Sequence, residues 1–297
     1  MNFLANIASS VGSYISSFVS NEAPEPEPFD ASAITRDQVQ EARAVLTNRL
    51  PLELVDIVLD YAEYWIRQNY IRREHVQVQA QFTHDPPQGA VLYLTTGALG
   101  RGEYFEELAL VKPRRVVLRI EAHDQGWCDD TGIHGTFSGS FTWFEARIYR
   151  DEGGTAPLEE ILPNGISNTE TIRGPWGGHA MTNVTRAATP MDHRIDPDDY
   201  NEALESQGWQ TVKNGESSEW LVARNRVARR QSGPMTVTWD PDNEGEEIAW
   251  PLDGCGVGGG FVRSLQRGDR IGIWARSKYG GWMNNVVSVE VDVYHSI

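Results

Sequence analysis

Apolar positions change rhythm twice along the chain. Phe3, Leu4, Ile7, Val11, Tyr14, Ile15, Phe18 and Val19 recur every three or four residues, so they share one face of a helix predicted over 1–22. The stretch "NEAPEPEPFD" follows, and its alternating Pro and Glu favour an extended charged linker over 23–34. A helical segment is predicted over 35–73, with Thr35 or Asp37 capping one short helix and Pro51 opening a second. Beyond about residue 76 the period falls to two. In "RRVVLRIEAH" Val116, Leu118 and Ile120 face one way, and Arg115, Arg119 and Glu121 the other. Val287, Val289, Val291 and Val293 alternate with Ser288, Glu290, Asp292 and Tyr294 in the same manner. "AVLYLTT", "FTWFEARIY", "MTVTWD" and "RIGIWARS" add strands between Gly, Asp and Asn turns, and only "DPDDYNEALESQGW" looks helical in this part. The fold class expected for 74–297 is therefore mainly β, an antiparallel β-sandwich, with residues 150–215 as long inserted loops.

Charge and cysteine usage narrow the partners. Lys plus Arg number 26 against 42 Asp plus Glu, a net charge of −16 that repels nucleic acid backbones and anionic lipid. The local run "RNRVARRQ" reads as the solvated face of a strand. Cys128 and Cys255 lack CxxC spacing, so neither a metal site nor a disulfide framework is expected. No apolar run spans a bilayer and the first basic residue is Arg36, which argues for a cytoplasmic protein rather than a secreted or imported one. The uncharged polar face of the first helix suits either peripheral membrane contact through Phe3, Leu4, Ile7, Val11, Ile15 and Phe18, or docking on the parent domain or self-association.

Two resemblances follow from particular residues. "LPLELVDIVLDYAEYW" resembles the opening of an F-box, with Leu50, Pro51, Glu53, Leu54, Val58 and Leu59 in the positions of its Leu, Pro, Glu, Leu and paired aliphatics. That likeness implies docking on a Skp1-type adaptor through Leu50, Pro51, Leu54, Val58 and Leu59. It covers about 16 residues and lacks the Cys-Arg-x-Trp element that closes a third helix, so a plain helical hairpin is the other reading. From about Glu74 onward, "VVLRIEAHDQGW", "GSFTWFEA", "WLVARNRVA", "FVRSLQRGDRIGIWAR" and "GGWMNNVVSVEVDVY" look like an uncharacterised domain of fungal proteins. The "GD-x-I-x-I-W-A-R" run with its following "GW-x-N" also looks like the last hairpin of a galactose-binding-like jelly roll, which implies fold more than ligand.

Candidate chemistry gathers in two predicted loops. "DQGWCDDTGIHGTFSGS" and "KYGGWMNNV" each set an aromatic ring beside amides, so Asp124, Gln125, Trp127, Trp282, Asn284 and Asn285 are the candidate ligand-binding residues. The same tryptophans also suit a structural role as plugs under the sheet. No GxSxG, HExxH or GxxxxGK[ST] occurs, and Asp129 and Asp130 are adjacent, which points them to opposite faces of a strand instead of across a cleft. "GCGVGGG" lacks the strand-loop-helix setting of a nucleotide cradle and reads as a hairpin loop. The expectation is a protein that is not an enzyme and holds no cofactor. It recognises a protein or glycan, and the alternative is a membrane-associated or self-assembling protein working through its first helix.

Overall fold

The computed structural model describes residues 34–80, 87–102, 105, 111–162, 168–173, 179–184, 196–243, 245, 251 and 253–296. The predicted helix over 1–22, with Phe3, Leu4, Ile7, Val11, Ile15 and Phe18, and the linker over 23–34 except Ile34, lie outside the described residues. Two compact units divide the chain at Ile66/Arg67.

In the first unit, Thr35 caps α1 (Arg36–Thr47) through a reciprocal capping box. The Gln38 N–H donates to Thr35 Oγ1 at 3.3 Å, and the Thr35 N–H donates to Gln38 Oε1 at 2.9 Å. Pro51 precedes α2 (Leu52–Tyr61), and Arg43 pairs with Asp56 to tie the two helices. Val39, Val55 and Leu59 are buried. On α2 Leu54, Ile57 and Tyr61 follow one another at helical spacing and stay exposed, at 47%, 58% and 69%.

Strand structure starts earlier than the change of period suggests, because β1 occupies Ile66–Arg72 inside the stretch assigned to the helical segment over 35–73. Its sequence "IRQNYIR" hides the strand, since half of its inward positions are polar: Gln68 and Arg72 are buried beside Ile66 and Tyr70. Ten of the other strands follow as β2 (Val76–Gln79), β3 (Gln88–Thr95), β4 (Lys112–His123), β5 (Thr142–Asp151), β6 (Asn168–Arg173), β7 (His179–Val184), β8 (Trp209–Thr211), β9 (Trp220–Arg224), β10 (Gly233–Trp239) and β11 (Arg270–Lys278). The long β12 (Met283–Ser296) ends the series. One sheet has the order β10-β4-β12-β1-β6-β7 with β2 also on β12, and the other β3-β11-β5-β8 with β9 also on β5. Pairing is antiparallel, as in Ala122 opposite Gly233 and Thr142 opposite Ser277.

Both sheets contribute to one apolar core, an arrangement compatible with a β-sandwich. Val116, Leu118, Ile120, Val289, Val291 and Val293 enter it from the first sheet, and Phe144, Ala146, Ile148, Ile271 and Ile273 from the second. The expected alternation of β12 slips at its start, where Val286 joins the core and Val287 is half-buried.

The stretch 150–215 is not simply loop. α3 (Leu158–Ile161) and α4 (Asn201–Ser206) bring Leu158, Leu162, Tyr200 and Leu204 against Ala90, Leu92, Tyr149, Trp209 and Trp274 on the outer face of the second sheet. That sheet is thus covered on both faces, which is why every residue from Ile271 to Ser277 is buried and "RIGIWARS" shows no clean alternation. The glycine run 254–260 is a packed segment leading into α5 (Gly259–Ser264). Trp239 Nε1 donates to the Gly256 carbonyl at 3.0 Å, and a Cβ at Gly258 would fall 1.9 Å from the Trp239 ring.

His295 on β12 gives the fold an acid-sensitive point. It is fully buried, sits edge-on to Phe105 at 5.3 Å, and neither ring nitrogen has a hydrogen-bond partner. Burial pushes its pKa down to about 3. The unfolded chain takes up this proton below about pH 6.5 and the folded chain does not, so stability is full above that pH and falls on acidification. From pH 6.5 to 4 the loss from this group amounts to about 3 kcal/mol. Urea titrations across that window should show a decline shallower by about this amount in His295→Leu.

Among the described residues no helix is long and apolar enough to cross a membrane.

Candidate functional site

Three loops meet at one end of the two-sheet body: 124–141 from β4 to β5, 225–232 from β9 to β10, and 279–282 from β11 to β12. Each carries the chain from one sheet to the other, so together they cross the end of the core. Their junctions lie side by side in the ladders, with Ala122 opposite Gly233, Trp143 opposite Arg224 and Thr142 opposite Ser277.

The buried carboxylate of Asp124 fastens two of these loops. Oδ1 accepts from the Gly126 N–H at 2.8 Å and the Arg229 N–H at 2.9 Å, while Oδ2 accepts from the Ala228 N–H at 2.6 Å. Burial lifts the Asp124 pKa above the ordinary aspartate value, against those three donors, which lower it. Ala228 adopts φ 56°, a left-handed conformation that this double anchorage sustains. Backbone pairs continue the join, from the Gly135 N–H to the Val227 carbonyl at 2.8 Å and from the Val227 N–H to the Thr136 carbonyl at 2.9 Å.

The other predicted polar residues are also engaged within the protein. Asn285 Nδ2 donates to the Asp124 carbonyl at 3.0 Å, and its Oδ1 accepts from Gln77 Nε2 at 3.0 Å. Asn284 Nδ2 donates to the Trp143 and Arg276 carbonyls at 3.0 and 3.3 Å, and its Oδ1 accepts from Asn225 Nδ2 at 2.9 Å. Gln125 Nε2 donates to the Trp127 carbonyl at 2.7 Å, and its Oε1 accepts from the Met283 N–H at 3.3 Å. Asp130 forms a turn, accepting the Gly132 N–H at 2.9 Å.

The aromatic residues are placed differently. Trp127 is 53% exposed, and the edge of its ring comes within 3.6 Å of where a Cβ on Gly281 would stand. Trp282 is half-buried and meets Phe141 edge-on at 5.2 Å; Tyr279 also meets Phe141 edge-on, at 4.6 Å, and is 39% exposed. Tyr279 has φ 67°, so the 279–282 turn holds this ring outward at a cost in backbone strain. Trp127 and Trp282 therefore belong to the same end of the fold, one ring open and the other wedged under the turn.

Sequence reasoning missed Asn225, Tyr279 and the loop position of the arginines. Arg224 closes β9, whereas Arg226, Arg229 and Arg230 are exposed on the following loop and not on a strand face. Arg226 lies over the Phe137 ring at 4.3 Å and donates to the Gly135 carbonyl at 2.8 Å. Arg230 lies against Gly126 and donates to its carbonyl at 3.4 Å. The "QSGP" that follows the run is the turn signal that marks it as loop.

A second polar constellation lies on the outer face of the five-stranded sheet. Glu145 and Arg147 of β5 and Arg276 of β11 are all buried, with Glu145 Oε1 receiving Arg276 at 2.9 Å and Arg147 at 3.1 Å. Arg147 also holds Asp198 at 2.6 Å, and Arg276 approaches Asp196 at 3.4 Å, which fastens the segment before α4 to the sheet. Burial raises the Glu145 carboxyl, but Arg276 and Arg147 outweigh it and keep the group below the usual range. Burial and the neighbouring Glu145 push Glu219 up to about 8. Each buried carboxylate here is matched to a guanidinium, the pattern of an ion-pair network that anchors a cap.

Among the described residues no cluster of His, Cys, Asp or Glu is arranged to hold a metal ion, and Cys128 and Cys255 are free thiols. The chain matches no protein-family model, and no curated protein is found to be similar to it.

Proposed function

We propose that this protein is a non-enzymatic recognition protein that binds a protein or glycan at the end of its β-sandwich formed by the three loops. The supporting observation is the exposed Trp127 ring, held by a glycine-backed turn and a side-chain bond to its own carbonyl, with Tyr279 beside the same turn. Large aromatic rings kept open on a fixed frame lose little conformational freedom when covered, and such rings dominate binding hot spots. The strand crossings β3-β4-β5 and β9-β10-β11-β12 alternate between sheets, which supports a jelly roll of galactose-binding type as the body. Of the six residues proposed from sequence, Trp127 supplies the surface and Trp282 packs on Phe141 beneath the turn. Asp124, Gln125, Asn284 and Asn285 act by holding it in shape.

Ligands from glycan and peptide arrays that bind the wild type should bind Trp127→Ala more weakly by about 30-fold, the equivalent of about 2 kcal/mol. The melting temperature should stay unchanged, because the ring is not part of the core. Equal binding by the two proteins would remove this reading.

The exposed row Leu54, Ile57 and Tyr61 favours a second function for the first unit, docking of a Skp1-type adaptor on α2. Leu54 and Pro51 are open, Leu50 and Val58 are half-buried, and Leu59 is buried, so the docking face is centred on Leu54, Ile57 and Tyr61 and Leu59 supports it from inside. Ile57→Asp should abolish capture by such an adaptor, with circular dichroism unchanged. Failure of the wild type to bind would exclude the adaptor role.

A further inference from the structure

The geometry points to an acidic polypeptide segment as the ligand class of the three-loop end, bound by the guanidinium groups of Arg226, Arg229 and Arg230 around the Trp127 platform. This rests on the recognition reading above and adds the chemistry of what is recognised.

The polar groups left open at this end decide the class. Asn284, Asn285, Gln125 and Asp124 have their donors and acceptors committed to strand ends and loop backbones. A neutral sugar needs both donors and acceptors for its hydroxyls, and the amides that would serve it are occupied. Apart from the Gln231 amide, the polar side chains exposed on the 225–232 loop are the guanidinium donors of Arg226, Arg229 and Arg230. Each guanidinium carries five N–H groups; Arg226 and Arg230 each direct one bond to a backbone carbonyl, which steadies the stem and leaves the rest of the fork available. Donors without acceptors suit oxyanions, and the planar fork matches a carboxylate in two-point contact.

The charge pattern agrees. In a chain of net charge −16, Arg67, Arg72, Arg115, Arg119, Arg147, Arg150 and Arg276 all pair with carboxylates. Arg226, Arg229 and Arg230 have no ion pair among the described residues, and no acidic residue lies in 225–232 or 279–282. The acidic residues of this end are Asp124, consumed by backbone donors, Glu121, which accepts from Ser232 at 3.1 Å, and Asp129 and Asp130 on the 124–141 loop. Lys278 adds a further cation beside Tyr279, 5.4 Å from its ring. At physiological ionic strength screening acts over about 8 Å, so an approaching chain feels this cluster more than the distant acidic surface. An acidic polypeptide is favoured over an acidic saccharide because the exposed set is Trp, Tyr and Arg, the residue types that dominate protein-protein hot spots.

The test measures fluorescence anisotropy of a labelled decaglutamate peptide with the full-length protein. A glycine-serine peptide of equal length and a sulfated hexasaccharide serve as comparison probes. Decaglutamate should bind, weaken as NaCl rises from about 50 to 300 mM, and bind at least tenfold more weakly to the Arg226→Gln, Arg229→Gln, Arg230→Gln triple variant. A variant with Arg49→Gln and Lys213→Gln should bind like wild type. The triple variant keeps the Arg229 backbone N–H that Asp124 holds, and an unchanged melting temperature verifies that the loops remain folded. No binding of decaglutamate, equal binding by the triple variant, or binding of the sulfated hexasaccharide in its place would overturn the proposal. If in addition an array ligand binds in a Trp127-dependent manner and ignores the three arginines, recognition at this end stands and only the acidic class falls. If no ligand depends on Trp127, the recognition reading itself falls.

Discussion

Asp124→Ala will destabilise the protein by about 3–5 kcal/mol and free two loops together, since three part-buried backbone N–H groups lose their only side-chain acceptor. The substitution leaves the Trp127 and arginine side chains in place, yet binding at this end should be lost with the geometry that presents them. Two measurements separate the effects. Urea unfolding gives the stability change, and limited trypsin digestion below the unfolding midpoint reports the loop, because Arg226, Arg229 and Arg230 become cleavage sites once the Ala228 and Arg229 amides are released. Asp124→Asn should be milder, at about 2–3 kcal/mol, because it keeps one oxygen for Gly126 and Arg229 and turns an NH2 toward Ala228. Digestion and stability indistinguishable from wild type in both variants would show that the carboxylate does not hold the loops.

Glu145→Ala is expected to be comparably severe, at about 3–5 kcal/mol, because it removes the one buried carboxylate shared by two guanidinium groups that are almost wholly buried. The affected region differs: Asp198 and Asp196 attach the segment before α4 through Arg147 and Arg276, so amide exchange should rise in 196–206 before the central strands. Glu219 beside Glu145 keeps its proton to about pH 8 and shares a side-chain hydrogen bond with that carboxylate. A carboxyl that retains its proton longer when folded stabilises the fold fully below its unfolded value of 4.5 and loses that contribution as pH rises through about 8. Below pH 6.5 this opposes the His295 effect, so the Glu219 contribution should show as a decline in stability between about pH 6.5 and 8. Glu219→Gln should remove that slope, as should Glu145→Gln, which takes away the charge that raises Glu219. A slope unchanged in Glu219→Gln would assign the decline to another group.

Periodicity made the two-sheet body legible. Val116, Leu118, Ile120, Val289, Val291 and Val293 alternate because one side of their sheet is core and the other is polar. It failed where both faces of a sheet are covered, as from Ile271 to Ser277, and where polar residues point inward, as Gln68 and Arg72 do in β1. Long-range polar pairing has no local signature. Gln68 Oε1 receives the Gly100 N–H at 2.8 Å, and Asp292 is buried because Arg67 and Arg119 reach it from neighbouring strands.

The candidate end was readable as a pair of loops rich in Trp and amides, and both loops do lie there. What each residue does was not readable, because a buried Asn that spans two backbones and an open one that meets a ligand are the same letter. Asn284 and Asp124 act through atoms about 60 and 100 positions distant, at Asn225 and Arg229. The arginine run was misplaced for a related reason: strand β9 stops at Arg224, and Asp124 holds the chain beyond it at Ala228 and Arg229.

The Asp124 fastening uses only main-chain N–H groups of the 225–232 loop, and this separates the frame of the tip from its cargo of side chains. Any residue tolerated in that backbone conformation can replace Arg229 or Arg230 with the anchor intact. The end of the fold is thus a fixed frame whose outward side chains can be exchanged a few letters at a time, and the binding proposed for it should be open to rewriting without redesign of the body beneath.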